Sequence, residues 1–229
     1  MSLRKSFQNL SKFEKCLWGL SVFVVSLSYF LGTEDNILTL FTSILGVTSL
    51  IFVAKGDVIG QLIAVLFSIL YAIISYDCRY YGEMITYLFM SAPAAILVVI
   101  SWIRNPYKGN KQEVTVNYIK FGEVLFLTGL TAVVTTIFYF VLKYFNTAQL
   151  ALSTFSVTTS FFASYLTFRR NPFYGLAYAA NDIVLIGLWV IASIKTPAYI
   201  PVILCFVMFL VNDIYGFINW QRIKKRQDQ

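Results

Sequence analysis

Asn181 and Asp182 stand at the centre of an apolar stretch of membrane-spanning length, residues 174–193. The same dipeptide recurs at Asn212 and Asp213 inside the next apolar stretch, followed by Tyr215 and Gly216. An Asp at the bilayer midplane costs roughly 2.5–3.5 kcal/mol or more, so such a carboxylate marks a site that faces protein or water. The two stretches are therefore expected to be walls of one polar cavity. Helical spacing places Tyr178 at i−4 and Tyr174 at i−8 from Asp182. Asn181 follows the same tyrosines by three and seven, so Tyr174, Tyr178 and Asn181 share a face. Aromatic planes beside an amide suit a polar heteroaromatic ligand better than a bare ion. In the last stretch Asn212 and Tyr215 share a face, Asn219 extends it by a turn, and Asp213 points more to the side. Interhelical hydrogen bonding is the competing account of the asparagines.

Further polar positions belong with these. Glu83 and Tyr87 are i,i+4 neighbours at the start of a span and would form an outer gate or a sugar contact, although a carboxylate complementing the helix N-terminus explains Glu83 equally well. Gln61, with Ser68 and Tyr71, supplies the matching polar positions earlier in the chain. No metal or cofactor is expected: the sequence has no histidine, and Cys16, Cys78 and Cys205 share no ligand spacing. Asp182 with Asp213 is the only pair available to an intramembrane hydrolase, and no lysine lies mid-span for a retinal Schiff base. The chain is expected not to be an enzyme.

The elements that must position these residues are membrane helices. The 229 residues are 58% hydrophobic and 17% aromatic, and 13% are Asp, Glu, Lys or Arg, about half the charged share of a soluble domain. At about 20 residues per span, eight segments can be drawn: 16–31, 37–54, 58–76, 84–103, 119–142, 148–167, 173–194 and 198–219. The net charge of +7 resides in loops and tails, where it orients the chain rather than binding nucleic acid. With eight spans and the N-terminus inside, 15 of the 18 Lys and Arg fall on the cytoplasmic side, whereas Arg79, Lys143, Lys195, Glu34, Asp35 and Asp77 fall outside. Both termini are thus expected in the cytoplasm.

A polar connector, 105–117, divides the chain nearly in half and reads as a solvated linker. Val47-Thr48-Ser49 answers to Val157-Thr158-Thr159, Gly60 to Gly175, and Ser101-Trp102-Ile103-Arg104 to Asn219-Trp220-Gln221-Arg222. These matches predict an all-α integral membrane protein of two parallel three-helix repeats, 37–104 and 148–221. The linking part is 105–147, an extra N-terminal helix occupies 1–36, and 222–229 is a basic tail. Substrate sites in such parallel-repeat transporters lie near the midplane between the repeats. Trp18, Trp102, Trp189 and Trp220 are expected at the membrane interfaces.

The runs Tyr81-Gly82-Glu83-Met84-Ile85, Asn181-Asp182-Ile183-Val184-Leu185, and Asn212-Asp213-Ile214-Tyr215-Gly216 through Trp220 resemble the PnuC family of bacterial vitamin transporters over roughly residues 40–225. The resemblance implies a fold similar to SWEET sugar transporters, a homotrimer in the bacterial cytoplasmic membrane, and facilitated diffusion of nicotinamide riboside, an NAD precursor. Relatives carry thiamine or riboflavin. Family members often bear two tryptophans at i and i+3 with an asparagine four residues later. Here the asparagine is Asn181, and the tryptophan positions hold Tyr174 and Ala177. Nicotinamide riboside and thiamine are cations that an ionised Asp182 or Asp213 beside tyrosine rings would stabilise, and riboflavin is neutral. The expected substrate is a cationic vitamin, with thiamine, a sugar or an enzymatic role as the alternatives.

Overall fold

The computed structural model describes residues 3–31, 37–77, 81–195 and 200–229. The expectations on Glu34, Asp35, Cys78 and Arg79, and on the side chains of Asp77 and Lys195, lie outside the described residues. After a short helix α1 (Leu3–Gln8) come α2 (Lys12–Leu31), α3 (Ile37–Ala54) and α4 (Val58–Asp77). The next crossing begins as α5 (Tyr81–Thr86), passes through one π-helical turn at Tyr87–Ser91, and continues as α6 (Ala92–Arg104). A hairpin of β1 (Pro106–Tyr107) and β2 (Asn110–Val114) precedes α7 (Phe121–Tyr144), α8 (Leu150–Phe168), α9 (Tyr174–Lys195) and α10 (Ile200–Gln227). Among the described residues seven helices are long and apolar enough to cross a membrane. The eight expected segments all form helices, but α8, rich in Ser and Thr, is not among the seven. The fourth segment is not the continuous α-helix expected over 84–103, because the π-turn interrupts it.

Six crossings close into a ring in the order α3, α4, α5–α6, α8, α9, α10 and back to α3. Helix α2 lies outside, against α3 and α10, and α7 lies outside against α8. The ring closes through paired contacts at the end that carries the chain termini. The Trp102 indole N–H donates to the Thr167 carbonyl at 2.9 Å, and that of Trp220 donates to the Val53 carbonyl, also at 2.9 Å. One residue earlier, the Ser101 hydroxyl donates to Phe168 O at 2.8 Å and the Asn219 amide to Ala54 O at 2.8 Å. Each pair adds side-chain donors to carbonyls at the C-terminus of α8 or α3, where the helix's own N–H groups run out; Thr167 O and Val53 O also accept the N–H of Arg170 and of Gly56. The two indoles also stack on each other at 5.4 Å. Both are fully buried, so these tryptophans are not the interfacial belt the sequence suggested. They form the hub of the ring.

The connector is likewise no free linker. Val114 is buried against the hub, and its N–H donates to Gly56 O at 3.0 Å. Asn117 N–H donates to Arg170 O at 3.1 Å. The strap thus ties the α3–α4 turn to the α8–α9 turn. Those turns are built alike. Gly56 and Arg170 both take positive φ, 73° and 57°, and Asp57 Oδ1 and Asn171 Oδ1 each accept the N–H two residues on, at 3.0 Å. Burial pushes the Asp57 carboxyl above its ordinary range, although hydrogen bonds from Ser6 and the Ile59 amide oppose that rise. Close approach elsewhere depends on glycine. A Cβ on Gly60 would lie 2.5 Å from Val53 N, and one on Gly175 would lie 2.6 Å from Asp213 O.

Candidate functional site

The Gly175 contact presses α9 against α10 two helical turns below Asp182, and this brings the recurring carboxylates together. Asp182 and Asp213 are 3% and 4% exposed. Their carboxyl groups meet within hydrogen-bonding range, and Asp182 Oδ2 has no hydrogen-bond donor among the described residues. Two carboxyls in contact repel when both are ionised, so the pair needs a shared proton or a cation beside it. They line a cavity of about 140 Å³ enclosed by all six ring crossings. Tyr178, Asn181 and Gln61 line it too, with Tyr87 from the π-turn, and no described lining residue is Lys or Arg.

Side-chain partners fix how these groups face the cavity. The Tyr178 hydroxyl is 3.0 Å from that of Ser164. The Asn181 carbonyl accepts from Ser156 at 3.2 Å and Thr159 at 2.8 Å, which leaves its amide N–H bonds for a ligand acceptor. Tyr87 rests on Tyr71 at 4.3 Å. Phe67, Phe206 and Phe209 line both this cavity and a larger, mainly apolar one of about 360 Å³ toward the other end of the bundle. Phe67 and Phe209 pack edge-to-face at 6.1 Å. These rings form the partition between the two spaces.

The structure therefore separates the expected site residues into two groups. Tyr178, Asn181, Asp182, Asp213, Gln61 and Tyr87 converge on the cavity, and Glu83 lines a small arm of it, together with Tyr87 and Asn181. Three others turn away. Tyr174 is fully buried with its ring 4.9 Å from Trp220, so the face it shares with Tyr178 ends at the tryptophan hub. The Asn212 amide donates to Ser21 of α2 at 2.9 Å. The Tyr215 hydroxyl donates to Glu14 at 2.8 Å, and Glu14 also pairs with Lys55 at 3.0 Å. For Asn212 and Tyr215 the expected shared chamber is corrected to an anchorage for the N-terminal helix. The reason is one of angle: on α10 the face of Asn212 and Tyr215 packs against α2, and Asp213, turned to the side, meets the cavity.

Sequence reasoning also passed over a ladder on α8, Ser153, Ser156, Ser160 and Ser164, whose members line the cavity or its arm. Their spacing of three and four is that of one helix face. The signal was present in the low hydropathy of that segment, because a membrane helix too polar for lipid has a face turned toward water or protein. Glu123, in the first turn of α7, pairs with Arg169. Cys16 is exposed, and Cys205 lines the larger cavity.

Comparison with known proteins follows the same lines. The family model described as nicotinamide mononucleotide transporter matches residues 36–222. A nicotinamide riboside transporter PnuC of Neisseria mucosa is 26% identical over 227 residues, which are 97% of this chain and 86% of that protein. One of Haemophilus influenzae is 24% identical over 226 residues, covering 98% and 96% of the two chains. The crystal structure of a vitamin B3 transporter PnuC superposes with a TM-score of 0.85 at 24% identity, over 99% of this chain and all of that one. It shares the fold.

Proposed function

We propose, from the premise that this chain belongs to the nicotinamide mononucleotide transporter family, that it carries nicotinamide riboside across a bacterial cytoplasmic membrane. The observation that carries this reading is the buried Asp182–Asp213 pair in a cavity whose described lining holds no cationic side chain. A fixed pyridinium charge supplies what the pair lacks. Tyr178 and Tyr87 offer faces to the ring, and the free N–H bonds of Asn181 suit the carbonyl of its carboxamide. A phosphate would find no Lys or Arg there, so the riboside fits better than the mononucleotide. Thiamine is the second reading, because it too is a cation and because Tyr174 and Ala177 stand where a pair of tryptophans would hold a nicotinamide ring.

The transport architecture follows from the ring. Paired contacts of Trp102 with α8 and Trp220 with α3 support two parallel repeats, α3 to α6 and α8 to α10, with α7 as the linking span. On this reading α8 is the eighth crossing, shielded from lipid by its neighbours. An even number of crossings puts both termini on one side, the cytoplasmic one by the distribution of Lys and Arg. Facilitated diffusion and a homotrimer are carried over from the family resemblance. Purified protein titrated with nicotinamide riboside, thiamine, riboflavin and nicotinamide tests the substrate. Saturable binding of the riboside tighter than of the other three supports the reading, and preference for thiamine replaces it.

A further inference from the structure

Toward the end that carries the chain termini, the central cavity stops at a plug. Tyr178, which lines the cavity, meets Tyr174 edge-to-face at 6.4 Å, Tyr174 meets Trp220 at 4.9 Å, and Trp220 meets Trp102 at 5.4 Å. Tyr174 and both indoles are fully buried. Val53 of α3, Val58 of α4 and Leu166 of α8 pack into the same cluster, so all six ring crossings fill the lumen at this level. The rings of Trp102, Trp220 and Tyr174 each carry one polar group into the plug, and their partners differ. The two indoles donate to Thr167 O and Val53 O. The Tyr174 hydroxyl has no hydrogen-bond partner among the described residues. It lies instead over Gly216, where an added Cβ would stand 2.8 Å from the Tyr174 oxygen and 3.5 Å from the Ala54 Cβ.

A buried hydroxyl without a partner costs free energy that contact with water returns. The closed plug bears this cost, and a state in which the hydroxyl reaches water is relieved of it. Cargo that leaves the cavity toward the termini must part Tyr174 from Trp220, because the column between them is closed. We infer that, in a chain that carries nicotinamide riboside as proposed above, this plug is the gate at the terminus-bearing end, and the Tyr174 hydroxyl keeps it ready to open by destabilising its closed packing. The bonded indoles favour closure. The unbonded hydroxyl favours opening, and the balance between them sets how often the gate parts.

Tyr174→Phe removes the hydroxyl and keeps the ring. The empty variant in detergent should unfold roughly 2–4 °C above wild type. In proteoliposomes it should take up nicotinamide riboside about fivefold or more slowly, the factor by which a relief of that size favours the closed state, with riboside binding no weaker than in wild type. A merely damaged fold would lower the midpoint, binding and uptake together. Gly216→Ala reports on the place of the hydroxyl: its Cβ would crowd the Tyr174 oxygen, whereas the next contacts are at 3.5 and 3.6 Å. It should therefore lower the unfolding midpoint in wild type and have little effect in the Tyr174→Phe background. Equal effects of Gly216→Ala in the two backgrounds, a Tyr174→Phe midpoint at or below that of wild type, or Tyr174→Phe uptake within about twofold of wild type overturns the inference and leaves the substrate reading standing. Folded wild type that neither binds nor takes up the riboside overturns both.

Discussion

Replacing Asp182 with Asn separates the two roles that its carboxyl plays. In the empty protein Asp182 meets Asp213 with no donor for its Oδ2, and an amide in its place donates a hydrogen bond to Asp213 without the shared proton that the acid pair needs. The variant should therefore unfold at a higher temperature than wild type, by a few degrees for each kcal/mol gained. Toward a cationic ligand the effect has the opposite sign. A unit charge about 4 Å from a carboxylate interacts by about 4 kcal/mol at an effective dielectric near 20. Part of this is offset by the desolvation of both partners and by Asp213, which remains. The net loss should approach that of one charge-assisted hydrogen bond, about 1.5–3 kcal/mol, or roughly one to two orders of magnitude in Kd. Thermal unfolding of detergent-solubilised protein with and without nicotinamide riboside reads both effects at once: a raised baseline and a lost ligand-induced shift. An unchanged ligand shift with an unchanged baseline refutes the reasoning and removes Asp182 from the site.

Three other outcomes follow from the same contacts. Gly175→Val, whose branched side chain would stand against Asp213 O and the backbone of Phe217, should force α9 from α10 and abolish uptake into proteoliposomes even where protein still inserts; uptake within twofold of wild type contradicts this. Trp102→Phe and Trp220→Phe each remove the indole N–H bond to a carbonyl of α8 or α3 that keeps the N–H of Arg170 or Gly56, at a cost of about 0.5–1.5 kcal/mol, so the two should lower the unfolding midpoint by similar amounts. A large effect at one and none at the other contradicts the paired hub. Burial raises the Asp57 carboxyl above its ordinary range, so the folded state holds this proton more tightly than the unfolded one. Its contribution to stability is then fully present at acid pH and is lost as pH rises through the raised value. Asp57→Asn should remove that component of the fall between acid and neutral pH, and an unaltered pH profile of the unfolding midpoint argues against it.

The carboxylates were legible in the sequence because a membrane makes each one expensive, and helical periodicity then placed Tyr178 and Asn181 on the same side. The same periodicity could not say where a face ends. Tyr174 continues the stripe by one turn, yet at that level the neighbour is Trp220 rather than open space. Nor could spacing within α10 reveal that α2 stands beside Asn212 and Tyr215, since the packing of an added helix is written in no local pattern. Trp102 and Trp220 misled for a related reason, because a tryptophan near a span end looks the same whether it meets headgroups or caps a neighbouring helix. Among the described residues of the connector only Val114 is deeply buried within a polar run, too little apolar pattern to announce a strap. The α8 serines were readable as a polar face but resembled ordinary hydroxyls bonding back to their own helix.

The central claim is that the Asp182–Asp213 cavity exists to hold a positively charged ring. Reduced nicotinamide riboside has nearly the same shape and the same sugar but no ring charge, so titrating the purified chain with the oxidised and reduced forms side by side isolates that charge. The account predicts that the cationic form binds at least tenfold tighter and that Asp182→Asn narrows the gap. Equal affinity for the two forms would contradict it.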